Sequence, residues 1–163
     1  MSDLTEVDAT HLRRAIELAG EALALGDRPF GAVAVARDGS VIAEGVNAVN
    51  TTGDVTTHAE LVAITVATAA GRAEALRGAT VYASGEPCPM CAAAMVWAGV
   101  GRIVFAAAAA EFGAILPSGT RFDLTCADLV ATSNVVVEVS GPHLGGEGLD
   151  VFREAAEAYG ERR

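Results

Sequence analysis

Two periods of apolar residues alternate along the chain. Leu12, Ala15, Ile16, Ala19 and Leu23 recur at helical spacing within Asp8–Leu25, and Gly26 follows as a stop, which predicts a first helix. Ala32–Ala36 and Val41–Glu44 are short β-type runs around Asp38-Gly39, a hairpin signal. Val46–Thr57 is polar and reads as a loop. His58 opens a second helix ending at Gly71. Ala79–Ala83 is a third strand, Ser84–Pro87 a turn, and Pro89 suits the first turn of a helix running to about Ala98. Arg102–Ala107 is a fourth strand. The pattern then weakens. Ala106–Ala110 is an alanine run, and Phe112–Arg121 contains Gly113, Pro117 and Gly119. Cys126–Ala131 predicts a short helix, Asn134–Val139 a fifth strand, and Glu147–Tyr159 a final amphipathic helix.

Strands alternating with helices favour an α/β class, with a sheet sandwiched between helical layers. The 163 residues suffice for one domain, 1–163, and no repeat or linker divides them. Apolar residues make up 52%, too many for a disordered chain. The longest apolar stretch, Cys91–Ala110, is broken by Gly99, Gly101 and Arg102, so no membrane span is expected. The N-terminus lacks a signal-peptide pattern, and three cysteines do not make a disulfide framework, so a cytoplasmic setting is expected. Net charge is −10, and all 11 basic residues are arginine. Polynucleotide binding rests on cationic contacts to phosphate, so the balance argues against a nucleic-acid substrate.

Candidate chemistry lies in His58-Ala59-Glu60 and Pro87-Cys88-Pro89-Met90-Cys91. Cysteines three apart in a first helical turn share one side, and the exposed backbone N–H groups there favour thiolates. His58, at the start of another helix, supplies a nitrogen ligand. Structural zinc sites use four protein ligands, whereas hydrolytic ones keep a position open for water. Zinc would bring the pKa of that water from about 15.7 towards neutrality, with Glu60 placed to shuttle the proton. The competing readings are a four-ligand site completed by Cys126 or His143, neither in a ligand-type motif, and a redox C-x-x-C, which would leave His58 and Glu60 without a role.

H-x-E followed by P-C-x-x-C is the signature of zinc nucleobase deaminases. With Pro29-Phe30-Gly31-Ala32-Val33, Gly45-Val46-Asn47, Asp54–Glu60 and Glu86–Cys91, residues Arg28–Phe105 resemble the cytidine and deoxycytidylate deaminase superfamily, most closely its guanine deaminase branch. The resemblance implies a three-layer α/β/α fold with a five-stranded mixed sheet in the order 2-1-3-4-5. It also implies a homodimer and one Zn2+ per subunit on His58, Cys88 and Cys91, with Glu60 as proton shuttle. Asn47 and the backbone N–H of Ala59 would meet a ring carbonyl, and Phe30 would pack the base; otherwise Asn47 reads as a loop cap and Phe30 as core. Trp97, on the zinc helix, is a candidate pocket or packing residue. Asp123 is a candidate purine reader.

The C-terminal stretch, 141–163, also resembles that branch, where the last segment can cross to a partner subunit. His143, Glu147, Phe152 and Tyr159 then become candidate lid residues. Alternatively the last helix packs on its own sheet through Leu149, Phe152 and Ala156. The chain departs from the family at Val55 and Thr57, where Asp-Pro-Thr-Ala is usual, and in the alanine run, where many relatives carry an Asp-rich segment. The expected reaction is hydrolytic deamination of a small-molecule base. Guanine leads, with cytosine, isocytosine and amino-triazines open. A nucleoside deaminase is the alternative, then a tRNA adenosine deaminase, against which Ala48 stands where that branch usually carries Arg. A non-enzymatic deaminase-like module would predict damage to Glu60 or a ligand, and neither is damaged.

Overall fold

The computed structural model describes residues 3–116 and 119–160. Pro117 of the expected irregular stretch, and the extreme ends of the expected 1–163 domain and 141–163 segment, lie outside them.

Thr5 starts the first helix, α1 (Glu6–Ala24), through a capping box: Asp8 N–H donates to Thr5 Oγ1 at 3.1 Å, and Thr5 N–H to Asp8 Oδ2 at 3.0 Å. Its buried stripe includes Leu12, Ala15, Leu18, Ala19 and Ala22. Strands β1 (Gly31–Val35) and β2 (Val41–Val46) form the expected hairpin. The polar loop after β2 contains a short helix, α2 (Val49–Thr52), which hydropathy did not reveal. Its first turn is held from outside: buried Asp27 accepts from Thr51 N–H at 2.9 Å and Thr51 Oγ1 at 2.5 Å. Helix α3 (Ala59–Ala69), a 3-10 turn (Ala73–Leu76) and β3 (Thr80–Gly85) follow. Helix α4 (Pro89–Ala98) and β4 (Arg102–Ala107) lie as expected.

The alanine-rich region folds as α5 (Ala109–Ile115), then α6 (Cys126–Ala131), β5 (Glu138–Ser140) and α7 (Gly146–Gly160). The fifth strand is thus a correction to Asn134–Val139. Only Glu138, Val139 and Ser140 pair with β4, while Val136 is 98% exposed. β-propensity without a partner ladder did not make a strand.

The sheet order is β2-β1-β3-β4-β5. β1 is antiparallel to β2 and β3, whereas β3, β4 and β5 are parallel. Strand alternation divides the core. Val33, Val35, Tyr82 and Val104 pack against Leu12, Ala15 and Leu18 of α1. Ala34, Val81 and Ile103 face the other way, towards Ala67 of α3, Ala92 and Met95 of α4 and Val130 of α6. Burial on both faces accounts for the continuous apolar character of β1 and β4. Among the described residues, no helix is long and apolar enough to cross a membrane.

The α1 face carries one buried ionic cluster. Asp8 accepts from Tyr82 Oη at 2.7 Å and from Arg102 Nη1 at 2.6 Å. Burial alone would raise the Asp8 carboxyl, but hydrogen bonds from Arg102, Tyr82 and Thr5 outweigh it and hold it well below the usual carboxylate range. Asp8→Asn is expected to cost about 2–4 kcal/mol, read as a lower denaturant midpoint, because it removes the buried carboxylate partner of Arg102 and leaves that arginine only the half-exposed Glu138 at 3.3 Å. The folded pKa lies below the unfolded value, about 3.9, so the carboxylate's stabilisation is full above that pH. It disappears as pH falls towards the folded value, so the gap between wild type and variant should close in acid. An unchanged gap at pH 3 and pH 7 would refute the assignment.

Candidate metal centre and active site

The site forms at the carboxyl ends of the parallel strands β3 and β4, where their connections diverge. The β3–β4 ladder continues past the strand: Gly85 pairs with Ala107, and Glu86 N–H donates to Ala107 C=O at 2.7 Å. This seats the ligand loop. Cys88 then caps α4 with Pro89 at its first position, and His58 caps α3. Neither side chain makes a capping hydrogen bond; both turn towards Cys91.

His58 Nδ1, Cys88 Sγ and Cys91 Sγ form a triangle with all three edges 3.6 Å. Zinc bonds of about 2.3 Å to sulfur and 2.0–2.1 Å to nitrogen at tetrahedral angles require edges of roughly 3.6–3.8 Å. The donor set and its spacing therefore fit zinc without rearrangement. The bond from the Cys91 thiol, aided by His58, pulls the Cys88 thiol down to about 4, while the same bond and burial push Cys91 up, so a metal taking both sulfurs would displace the Cys91 proton. His58 is raised by its contact with Cys88. Among the described residues, this is the group of His, Cys, Asp or Glu side chains close enough to share an ion. Cys126 and His143 are outside it, so the four-ligand reading fails. Cys126 is a buried thiol pushed up to about 12 by burial, and His143 Nε2 lies 2.7 Å from Ser140 Oγ.

Glu60 is 6% exposed on the first turn of α3, and burial pushes its carboxyl up to about 7. A carboxyl near neutrality can accept and return a proton. Ala59 is the first helical residue, where a backbone N–H has no partner within the helix.

Asn47 is buried, and its amide oxygen is engaged in its own loop. Its Oδ1 accepts from Val49 N–H at 3.2 Å, which fixes the amide so that Nδ2 remains a donor. Among the described residues Nδ2 has no hydrogen-bond partner. Two contacts bring it beside His58-Ala59-Glu60. Ala48 N–H donates to Thr57 C=O at 3.0 Å. At Gly45, a Cβ would collide with the Ala59 carbonyl oxygen and lie 2.7 Å from Ala63 N, so only glycine lets β2 approach α3 this closely.

Phe30 stands in an aromatic trio, its centroid 5.3 Å from both Phe112 and Phe152, which stack at 5.0 Å. A Cβ on Gly85 would meet Phe30 at 2.9 Å and Phe112 at 3.0 Å, which places the trio against the start of the ligand loop.

The remaining candidates are dispersed. Trp97 is 91% exposed on α4, away from the metal triangle and not packed in the core. Asp123 is exposed in the α5–α6 connection. Glu147 pairs with Arg13 of α1 at 2.7 Å on the opposite helical layer. Tyr159 packs in the cluster that joins α7 to α1 and α5. Helix α7 lies on α1, α5 and β4 of its own chain, with Val151, Phe152 and Ala155 as its buried stripe. Of the four lid candidates, Phe152 contacts another candidate site residue, from behind Phe30.

Sequence reading missed Phe112, placed in an irregular stretch because Gly113 interrupts its short helix, and Glu86, quoted in the motif but given no task. Glu86 Oε1 accepts from Cys126 N–H at 3.0 Å and Oε2 from Ala109 N–H at 2.9 Å. Partners 23 and 40 residues away leave no local signal.

Known proteins share this architecture. The chain is 46% identical over 99 residues to guanine deaminase of Bacillus subtilis, a match covering 60% of this chain and 63% of that enzyme. It is 31% identical over 151 residues to a probable cytosine deaminase of Schizosaccharomyces pombe, covering 91% of each. The solved guanine deaminase from Nitrosomonas europaea superposes with a TM-score of 0.77 at 25% identity, covering 96% of this chain and 87% of that one. Residues 5–107 match the family described as the cytidine and deoxycytidylate deaminase zinc-binding region. With its three-ligand triangle, buried glutamate and 2-1-3-4-5 sheet, the chain belongs to the cytidine and deoxycytidylate deaminase family.

Proposed function

We propose that the protein hydrolytically deaminates a free nucleobase or a closely related amino-heterocycle, guanine first, releasing ammonia. The observation that carries this reading is the His58, Cys88 and Cys91 triangle beside buried Glu60. His58, Cys88 and Cys91 would hold zinc, which would supply a water of lowered pKa. Glu60 would take one proton from the water that adds to the amidine carbon and pass it to the ring nitrogen, then carry the added hydroxyl's proton to the departing amino group. The carbon–nitrogen bond breaks and ammonia leaves, with the ring carbonyl in its place. Asn47 Nδ2 and the Ala59 N–H donate to the neighbouring ring carbonyl, while Phe30 packs the base.

A tRNA-specific adenosine deaminase of Haemophilus influenzae is also similar, 39% identical over 118 residues covering 72% of this chain. Charge favours the small base here. Arg13, Arg14, Arg77, Arg102 and Arg153 are engaged with carboxylates, in a chain of net charge −10. Ammonia release from guanine, cytosine, isocytosine, triazines, their nucleosides and tRNA is the decisive screen. A free base is expected to give the highest kcat/KM, and turnover confined to tRNA would overturn the reading.

We also place the protein in a reducing compartment such as the cytoplasm, where the ligand thiols stay free, and assign it one zinc per subunit of a homodimer. Helices α3 and α4 carry no charged residue except buried Glu60, and Val66, Met90 and Trp97 are exposed on them. Helices apolar all round are usually covered. Trp97 borders a groove of about 470 Å³ with Ile64, Leu76 and Ala94. Exchange of 141–163 between subunits would require α7 to leave its own α1, so the unexchanged dimer is the favoured form. A mass in solution of twice 16.5 kDa checks the pairing.

A further inference from the structure

We infer that Glu86 is a positioning residue that fixes both ends of the α5–α6 region against the zinc loop, and thereby sets which base the site admits. Its carboxylate receives the N–H of Ala109, the first residue of α5, and that of Cys126, the first residue of α6. Both N–H groups lack partners within their helices, and a carboxylate complements two helix N-termini at once. Glu111 adds a local bond at α5, accepting from Ala108 N–H at 3.0 Å. At α6 the local cap, Thr125, serves Asp128 instead, so the Cys126 N–H depends on Glu86.

What the clamp holds is the substrate side of the site. Helix α5 carries Phe112, which meets Phe30 edge-on above Gly85. Helix α6 packs on α4, and Cys126 lies in the same core cluster as Cys91. Arg121, Phe122 and Asp123, between the two helices, are exposed. The backbone of Glu86 is held separately, by its N–H to Ala107 C=O. Its side chain can therefore be altered without displacing Cys88, two residues on. This division gives the side chain a role in selection and the backbone a role in metal binding.

The inference rests on the deaminase reading, and the test separates the two. Glu86→Gln keeps the size of the side chain but faces one N–H with an amide donor instead of an acceptor. Zinc-loaded Glu86→Gln should retain stoichiometric metal. Hydrogen exchange at the Ala109 and Cys126 amides should accelerate about tenfold or more, since a bond to a charged group is lost. KM for the preferred base should rise about tenfold with kcat changed less than about threefold, and discrimination among bases should narrow. Glu86→Asp, too short to reach both amides, should show the same loss of discrimination. Loss of zinc in Glu86→Gln, unchanged exchange at both amides, or unchanged KM and discrimination would each overturn the inference. If the wild type releases ammonia from no base, the proposed function fails, and the exchange readout still judges the clamp.

Discussion

Glu60→Gln should keep its zinc and lose turnover by about 10⁴-fold, the upper end of what a positioned proton carrier contributes. The side chain is buried, so the isosteric amide fills the same space and leaves no cavity. It does not belong to the His58, Cys88 and Cys91 triangle, so the donor set is unchanged. What vanishes is a group that can hold a proton between one step and the next. KM should change little, since Asn47 and the Ala59 N–H remain. Parallel measurement of metal content and ammonia release reads the result, and a variant with full activity would remove Glu60 from the mechanism.

Cys88→Ala should fail to hold metal, with less than about a tenth of an equivalent after dialysis and no measurable turnover. Two remaining donors do not make a stable site for zinc. The loss should also be mechanical, because the ion joins the starts of α3 and α4, helices from different connections of the sheet. The thermal midpoint of the variant should fall to that of chelator-treated wild type. Cys126→Ala is the control. Its thiol lies outside the triangle, so that variant should bind a full equivalent. Stoichiometric zinc in Cys88→Ala would require a different ligand set.

Where helices and strands announce themselves by period, the sequence was enough. Leu12, Ala15 and Ala19 are buried as their spacing requires, and Pro89 opens α4 where expected. The ligands were legible because Cys88 and Cys91 lie within one turn, and His58 and Glu60 within another. Features made by distant partners were not. Helix α2 depends on Asp27, 24 residues before Thr51, and α5 begins at a carboxylate 23 residues upstream. Val135–Val137 has every strand propensity, but β4 offers it no ladder. Asn47 illustrates both limits. Its loop reading and its ligand reading looked exclusive in the sequence, yet the bond from Val49 N–H uses only the amide oxygen, so the first does not exclude the second.

Gly45 restricts how this site can evolve. Because β2 meets α3 there by main chain against main chain, the separation of Asn47 from Glu60 is not a quantity that substitution can adjust in small steps. Any side chain at Gly45 pushes the strand that leads to Asn47 away from the helix that carries Glu60. The exposed residues between α5 and α6, such as Arg121, Phe122 and Asp123, carry no such constraint. Main-chain contact makes the one flank all-or-nothing, whereas the other can change by single side chains.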